Sequence, residues 1–419
     1  MGLNETTRGD RIHIGIFGKR NAGKSSVINA ITGQKLSIVS DVCGTTTDPV
    51  LKAMELLPLG PVMVIDTPGI DDEGELGKLR VQKTYQMLNK TDIAVIVMNL
   101  NEANITNNVD TVQLSDNDIA LINEIKNRDI PYIIVLNKMD LIQTDLKDNL
   151  LYKELIKIVS PNDIIGISAL TNKNIYELKE KIATLKPKEK YAYPIVRDLV
   201  NEGDVVVLIT PIDSAAPKGR LILPQQQTIR ELLEARAVTV VIQPDKLRDT
   251  FNKLEQKPKM VITDSQAFKQ VAKETPNDVL LTSFSILMAR HKGNLQTQVK
   301  GARTIEELRD GDKILISEGC THHRQCDDIG TVKLPKLLKK YTGKELEYHF
   351  TSGTEFPTDL SEYKLVIHCG GCTLNEKEMK YRLKCAENSN IPITNYGTAI
   401  AYMNGILKRS IEVFTKESN

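Results

Sequence analysis

The chain has 419 residues, enough for two to four domains at roughly 100–200 residues each. Its 55 Lys and Arg balance 54 Asp and Glu, and aromatics make up 5% with no Trp. Nucleic acid and anionic membranes therefore find no global cationic field and few stacking platforms. No apolar run approaches the ~20 residues that span a bilayer. The polar stretch Met1–Arg11 carries no apolar signal core, so the expected location is cytoplasmic.

From Arg11 to about Ala183, β-rich runs alternate with helical patterns, which predicts an α/β fold with a mostly parallel sheet and crossover helices. Strands are expected at His13–Phe17, Met63–Asp66, Ile93–Met98, Tyr132–Leu136 and Ile164–Ile167, mostly apolar throughout as strands covered on both faces must be. A linker rich in Pro and charge, Leu185–Pro194, follows. Residues 195–258 then offer strands at Asp204–Ile209 and Val238–Ile242 around a helical stretch, Gln225–Arg236. So short a segment is small for a core of its own, and dimerisation is the expected remedy. Residues 259–419 return to strand–helix alternation: Met260–Thr263, Lys313–Ser317, Lys364–Ile367 and Ile391–Thr394 read as strands, Glu376–Asn388 as a helix. The domains expected are 1–186, 195–258 and 259–419, each α/β, the middle one small and dimerising.

Gly18-Lys19-Arg20-Asn21-Ala22-Gly23-Lys24-Ser25 fits G-x-x-x-x-G-K-[ST] between a strand and a helix, the context that motif requires. Its backbone N–H groups can ring a β-phosphate at a helix N-terminus. Lys24 supplies charge to the β and γ phosphates and Ser25 a hydroxyl for Mg²⁺. Gly18, Asn21, Ala22, Gly23, Lys24, Ser25 and Ser26 are the nucleotide contacts expected here. Asp66-Thr67-Pro68-Gly69 follows a strand, so Asp66 can hold Mg²⁺ and the Gly69 amide can reach the γ-phosphate. Asn137-Lys138-Met139-Asp140 follows another, where Asp140 can accept from guanine N1–H and N2–H₂; adenine lacks that amino group. Ser168-Ala169-Leu170 comes after a later strand, and the Ala169 amide can bind guanine O6. Each loop alone is weak. In this order and at these strand ends they make a GTP site.

Cys320, Cys326, Cys369 and Cys372 fall within 53 residues that also hold His322, His323, His349 and His368. In a reducing compartment such crowding points to metal. Cys320 and His322 follow one predicted strand, and His368, Cys369 and Cys372 follow another, with two glycines letting the C-x-x-C thiolates approach one centre. The residues leave two readings open: a closed Cys₃His zinc site, or three thiolates on a [4Fe–4S] cluster. A lone Cys or His is more often core than ligand, and Cys43, Cys385 and His349 are read that way.

Asn21 in the P-loop and Gly44-Thr45-Thr46-Thr47-Asp48 resemble the Era/TrmE-like GTPases. That resemblance implies that Thr46 closes on Mg²⁺ and that Asn21 binds K⁺; Lys24, Thr46 and Gly69 are then the catalytic set. Ile70 stands where Ras-like enzymes carry the Gln that orients water, so hydrolysis should be slow and K⁺-stimulated. The pair C-x-H (Cys320–His322) and, after 45 intervening residues, H-C-x-x-C (His368–Cys372), behind such a GTPase, resembles the HydF family over essentially the whole chain, the segment Thr210–Leu221 included. HydF proteins are GTPase maturation factors of [FeFe]-hydrogenase. The resemblance implies a [4Fe–4S] cluster on Cys320, Cys369 and Cys372, with His322 and His368 as a fourth ligand or as neighbours that orient one. It further implies a homodimer or larger oligomer, the radical-SAM maturases HydE and HydG as partners, and delivery of a transient diiron precursor to apo-hydrogenase. Neither nucleic acid nor membrane is expected as a partner. The competing reading is an Era-like GTPase that assists RNA or ribosome maturation and holds a structural zinc. A radical-SAM enzyme would carry C-x-x-x-C-x-x-C, which is absent.

Overall fold

The computed structural model describes residues 6, 8–33, 49–70, 81, 83–100, 114–143, 145–185, 193–212, 221–320, 328–353 and 355–415. They fall into two compact units, Met1–Glu189 and Lys190–Asn419. The first holds strands β1 (Ile12–Phe17), β2 (Val50–Leu56), β3 (Gly60–Asp66), β4 (Ile93–Asn99), β5 (Tyr132–Asn137) and β6 (Ile164–Gly166). They lie in the order β2-β3-β1-β4-β5-β6. Only β2 runs antiparallel to its neighbour; the other pairings are parallel. All seven residues of β4 are buried, because helices cover both faces of the sheet. On one face Ile14, Ile16, Val95 and Val97 pack with Val27 and Ile28 of the helix Lys24–Thr32 and Leu178 and Ile182 of the helix Ile175–Thr184. On the other, Phe17, Ile65, Ala94 and Ile96 meet Leu121 and Ile125 of the helix Asp116–Asn127. These are the expected α/β fold and its mostly parallel sheet.

The second unit has two four-stranded sheets. The first comprises β7 (Val205–Ile209), β8 (Val238–Ile242), β9 (Met260–Thr263) and β10 (Leu280–Ser283), in the order β10-β9-β7-β8. The second comprises β11 (Lys313–Ser317), β12 (Glu347–Thr351), β13 (Leu365–His368) and β14 (Ile393–Asn395), in the order β12-β11-β13-β14. Every pairing in both is parallel. The boundary expected at 258/259 is corrected here: it falls inside the first sheet, because β7 pairs with β9 as well as β8, and residues 195–258 alone would leave β7 an open edge. The chain end completes that sheet's cover. Ala401, Ile406 and Leu407 join one of its cores, and Val413 joins Val206, Leu208 and Ile262 in the other. No helix among the described residues is long and apolar enough to cross a membrane.

Candidate functional site

Parallel strands bring their C-terminal ends to one edge, and each unit uses that edge. In the first, β1, β3, β5 and β6 deliver the four nucleotide loops. Gly18 has φ +141°, and a Cβ there would stand 2.1 Å from the Val97 carbonyl oxygen, so the P-loop leaves the sheet only through glycine. Ala22, Gly23 and Lys24 follow directly, and Ser25 and Ser26 lie half-buried in the first turn of the helix. Lys24 is buried, and its Nζ donates to the carbonyls of Gly18 at 3.0 Å and Lys19 at 2.7 Å. The ammonium thus lies inside the loop that would ring a phosphate. Ser25 Oγ donates to Asp66 Oδ2 at 3.3 Å, bringing the two expected Mg²⁺ ligands together. Gly69 is buried just beyond, and Ile70, 2% exposed, packs into the core with Phe17 and Ile65. Its side chain has no access to a water beside a phosphate.

The base-reading loops are joined to the P-loop by one side chain. Asn137 Nδ2 donates to Ala22 O at 3.1 Å, and Asn137 Oδ1 accepts the Ala169 amide at 3.1 Å. Lys138 takes a left-handed conformation, φ 68°, and begins the single turn that carries Asp140. Ser168 Oγ donates to Asp140 Oδ1, fixing one carboxylate oxygen. Lys19, which the motif leaves unassigned, pairs with Asp118 Oδ2 at 2.9 Å and ties the P-loop to the helix Asp116–Asn127. Asn21 is exposed with φ 57°. Thr46 lies outside the described residues.

In the second unit β11 and β13 are adjacent, Ser317 in register with His368, so the two cysteine loops emerge side by side. The Gly319 amide donates to Cys369 Sγ at 3.1 Å and the Gly371 amide at 3.4 Å. Thr373 Oγ1 donates to Gly319 O at 3.1 Å, crossing from loop to loop. Gly319 permits this approach: a Cβ there would meet Leu374 Cγ at 2.6 Å. Burial, and then the neighbouring Cys372, push the Cys369 thiol up to about 12, against the pull of the two amides. Cys320, Cys369 and Cys372 are free thiols, partly buried. Among the described residues, no three His, Cys, Asp or Glu side chains sit close enough to share one metal ion. The donor set of three cysteines, with two N–H groups aimed at one sulfur, fits thiolate ligation of a larger iron–sulfur group. His322 and Cys326 lie outside the described residues.

His368 has both ring nitrogens engaged. Arg382 Nη1 can only donate, so Nε2 accepts from it at 2.9 Å, and Nδ1–H donates to Cys369 O at 2.7 Å. Burial and then the Arg382 charge hold the ring neutral, its pKa lowered to about 3. In this geometry His368 orients the Cys369 backbone. Arg382 is fully buried and pairs with Glu378 Oε1 at 2.9 Å, reaches Ser317 Oγ at 3.3 Å and donates to Gly353 O at 2.5 Å. One guanidinium therefore ties the ends of β11 and β13 and the turn after β12. On the other side, Tyr396 OH donates to the buried Glu318 Oε1 at 3.1 Å. Burial, then Cys369 and Glu318, raise that phenol's pKa. No sequence motif announces Arg382, Glu378, Glu318 or Tyr396; each acts through contacts made only in the fold.

Comparison with known proteins agrees with this division. Residues 13–138 match the family described as 50S ribosome-binding GTPase. The tRNA modification GTPase MnmE of Clostridioides difficile is 33% identical over 171 residues, 41% of this chain and 33% of that protein. GTPase Der of Wolinella succinogenes is 33% identical over 197 residues, 46% of this chain and 39% of that protein. The chain thus spans about a third to two fifths of the length of these curated relatives. A crystal structure of an Aquifex aeolicus Era point variant bound to GDP and aluminium fluoride aligns at 22% identity and a TM-score of 0.36, covering 57% of this chain and 97% of that one. Residues 195–293 match the hydrogen maturase F dimerization domain, which ends beyond β10 and so encloses the whole first sheet of the second unit. Residues 296–413 match the hydrogen maturase F tetramerization domain, where a cluster-binding domain was expected. The second unit is thereby a module of homo-oligomer formation. With these two domains together covering just over half of its length behind a GTPase domain, the chain belongs to the hydrogen maturase F (HydF) family.

Proposed function

We propose that the chain hydrolyses GTP, holds a [4Fe–4S] cluster on Cys320, Cys369 and Cys372, and carries a diiron precursor to apo-[FeFe]-hydrogenase. The observation that carries this reading is the placement of both cysteine loops on adjacent parallel strands, with the Gly319 amide donating from one loop to Cys369 Sγ of the other. Amides aimed at sulfur spread the charge of a thiolate ligand and favour an anionic cluster over a bare thiol. Three thiolates leave one iron without a cysteine, which supplies a position open to exchange. His368 keeps the Cys369 backbone in place through its Nδ1–H, and Arg382 keeps His368 in that tautomer.

In the nucleotide unit Lys24, Ser25 and Asp66 would hold the phosphates and Mg²⁺, Asn21 a K⁺ ion, and Asp140 with the Ala169 amide the guanine. Hydrolysis is slow without help, because Ile70 is committed to the core. Such a centre suits a switch: ordering of the loops around Thr46 and Gly69 by a γ-phosphate changes a surface that HydE, HydG or the hydrogenase reads. The reading is tested by mixing the anaerobically loaded chain with apo-hydrogenase and measuring H₂ evolution. Wild type activates, and Cys369→Ser does not. Lys24→Ala loses nucleotide-dependent release of its partner. Activation by Cys369→Ser equal to wild type would refute the carrier role.

A further inference from the structure

The helix Phe284–Lys292 leaves β10 at the end of the dimerisation match, and its last residue, Lys292, is 1% exposed. Its Nζ donates to the carbonyls of Cys372 and Leu374, each at 3.0 Å. Those carbonyls lie about 80 residues further along the chain, in the loop that presents Cys372. Fully buried lysines are rare, because an ammonium stripped of water costs several kcal/mol unless dipoles or an anion meet it. Here carbonyl dipoles meet it, and a thiolate-bound group would bring the anion. Burial raises the Cys372 thiol, and the Lys292 charge opposes that rise. No nucleotide or cysteine motif includes this residue.

We propose that Lys292 is a positioning residue of the cysteine site: it clamps the loop of Cys372 to Leu374 onto the dimerisation segment, and its charge favours the more negative, one-electron-reduced state of the group held there. The second half rests on the cluster reading above. The clamp does not. It gives the dimerisation segment a direct mechanical hold on a cysteine loop of the following domain.

The full chain with Lys292→Met, close in length and uncharged, and with Lys292→Arg, still charged, tests both halves; Lys292→Gln replaces Met if that variant fails to fold. In the apoprotein, hydrogen–deuterium exchange at residues 370–375 should be about tenfold faster in Lys292→Met, with β7 and β9 unchanged. Equal exchange at 370–375 overturns the clamp. After reconstitution with iron and sulfide, dithionite supplies one electron per cluster and EPR follows the titration. At a fixed potential the oxidised-to-reduced ratio should rise about tenfold in Lys292→Met, about 59 mV for one electron, and stay within about twofold of wild type in Lys292→Arg. Equal ratios in wild type and Met, or equal shifts in Met and Arg, overturn the charge assignment. A wild type that takes up no iron overturns the cluster reading instead, and the exchange measurement still decides the clamp.

Discussion

The two sites use the same edge of a parallel sheet and differ in how they hold their charges. In the nucleotide site the charged groups rest on neutral neighbours: Lys24 on two P-loop carbonyls, Asp66 against the Ser25 hydroxyl. An arriving phosphate or metal competes for such contacts, so the site is built to exchange partners. Beneath the cysteine loops, Arg382 and Glu378 of the helix Glu376–Asn388 and His368 of β13 are buried and bonded to one another, and Arg382 also reaches Ser317 of β11. That network has nothing to exchange. It holds a rigid edge on which thiolates can stand, so damage should lower affinity in the first site and stability in the second.

Arg382→Met should show the largest effect. It leaves Glu378 buried and His368 without its donor, and should cost about 3–5 kcal/mol in urea denaturation of the apoprotein, with GTP affinity unchanged. A loss of GTP affinity as large as the loss of stability would erase the contrast. Asp140→Asn removes a carboxylate that can take two hydrogen bonds from guanine, each worth about 1.5–3 kcal/mol. Equilibrium titration should show GTP binding weakened by about 10²–10³-fold and xanthosine triphosphate now preferred, with the melting temperature unmoved. Ile70→Gln sharpens the comparison from the other side. The position belongs to the core, so the change should lower stability by about 1–3 kcal/mol and leave the rate of phosphate release no higher. Asn137→Ala should weaken GTP binding by about tenfold, less than Asp140→Asn does, because it cuts the bridge between loops without touching a phosphate.

What the sequence revealed and what it hid follow one physical line. The strands unread in the sequence, β2, β10 and β12, are all sheet edges. β2 and β12 expose some of their side chains and break the apolar run that marked β4 or β13, while β10 runs directly into the helix Phe284–Lys292 with no Gly or Pro turn residue to mark its end. The boundary at 258/259 failed for a related reason: nothing local in Met260–Thr263 says that it pairs with β7, some fifty residues earlier. Gly18, Lys24 and Asp140 are legible as candidates because the loops proposed to bind phosphate and guanine are contiguous, and their spacing is the chemistry. The three cysteines are legible as candidates by residue type and proximity. Arg382, Glu318 and Lys292 are not, since a charged residue in a helix or at a strand end looks like any solvated one until the fold buries it.

The central claim is that the cysteine edge of the second unit carries an iron–sulfur cluster. It is tested most directly by anaerobic iron and sulfide analysis of the reconstituted chain, with EPR of the dithionite-reduced protein and of Cys320→Ser beside it. About four iron and four sulfide per chain are predicted, with a reduced-cluster signal altered or lost in the variant. A colourless protein holding stoichiometric zinc, with no iron uptake after reconstitution, would contradict the account.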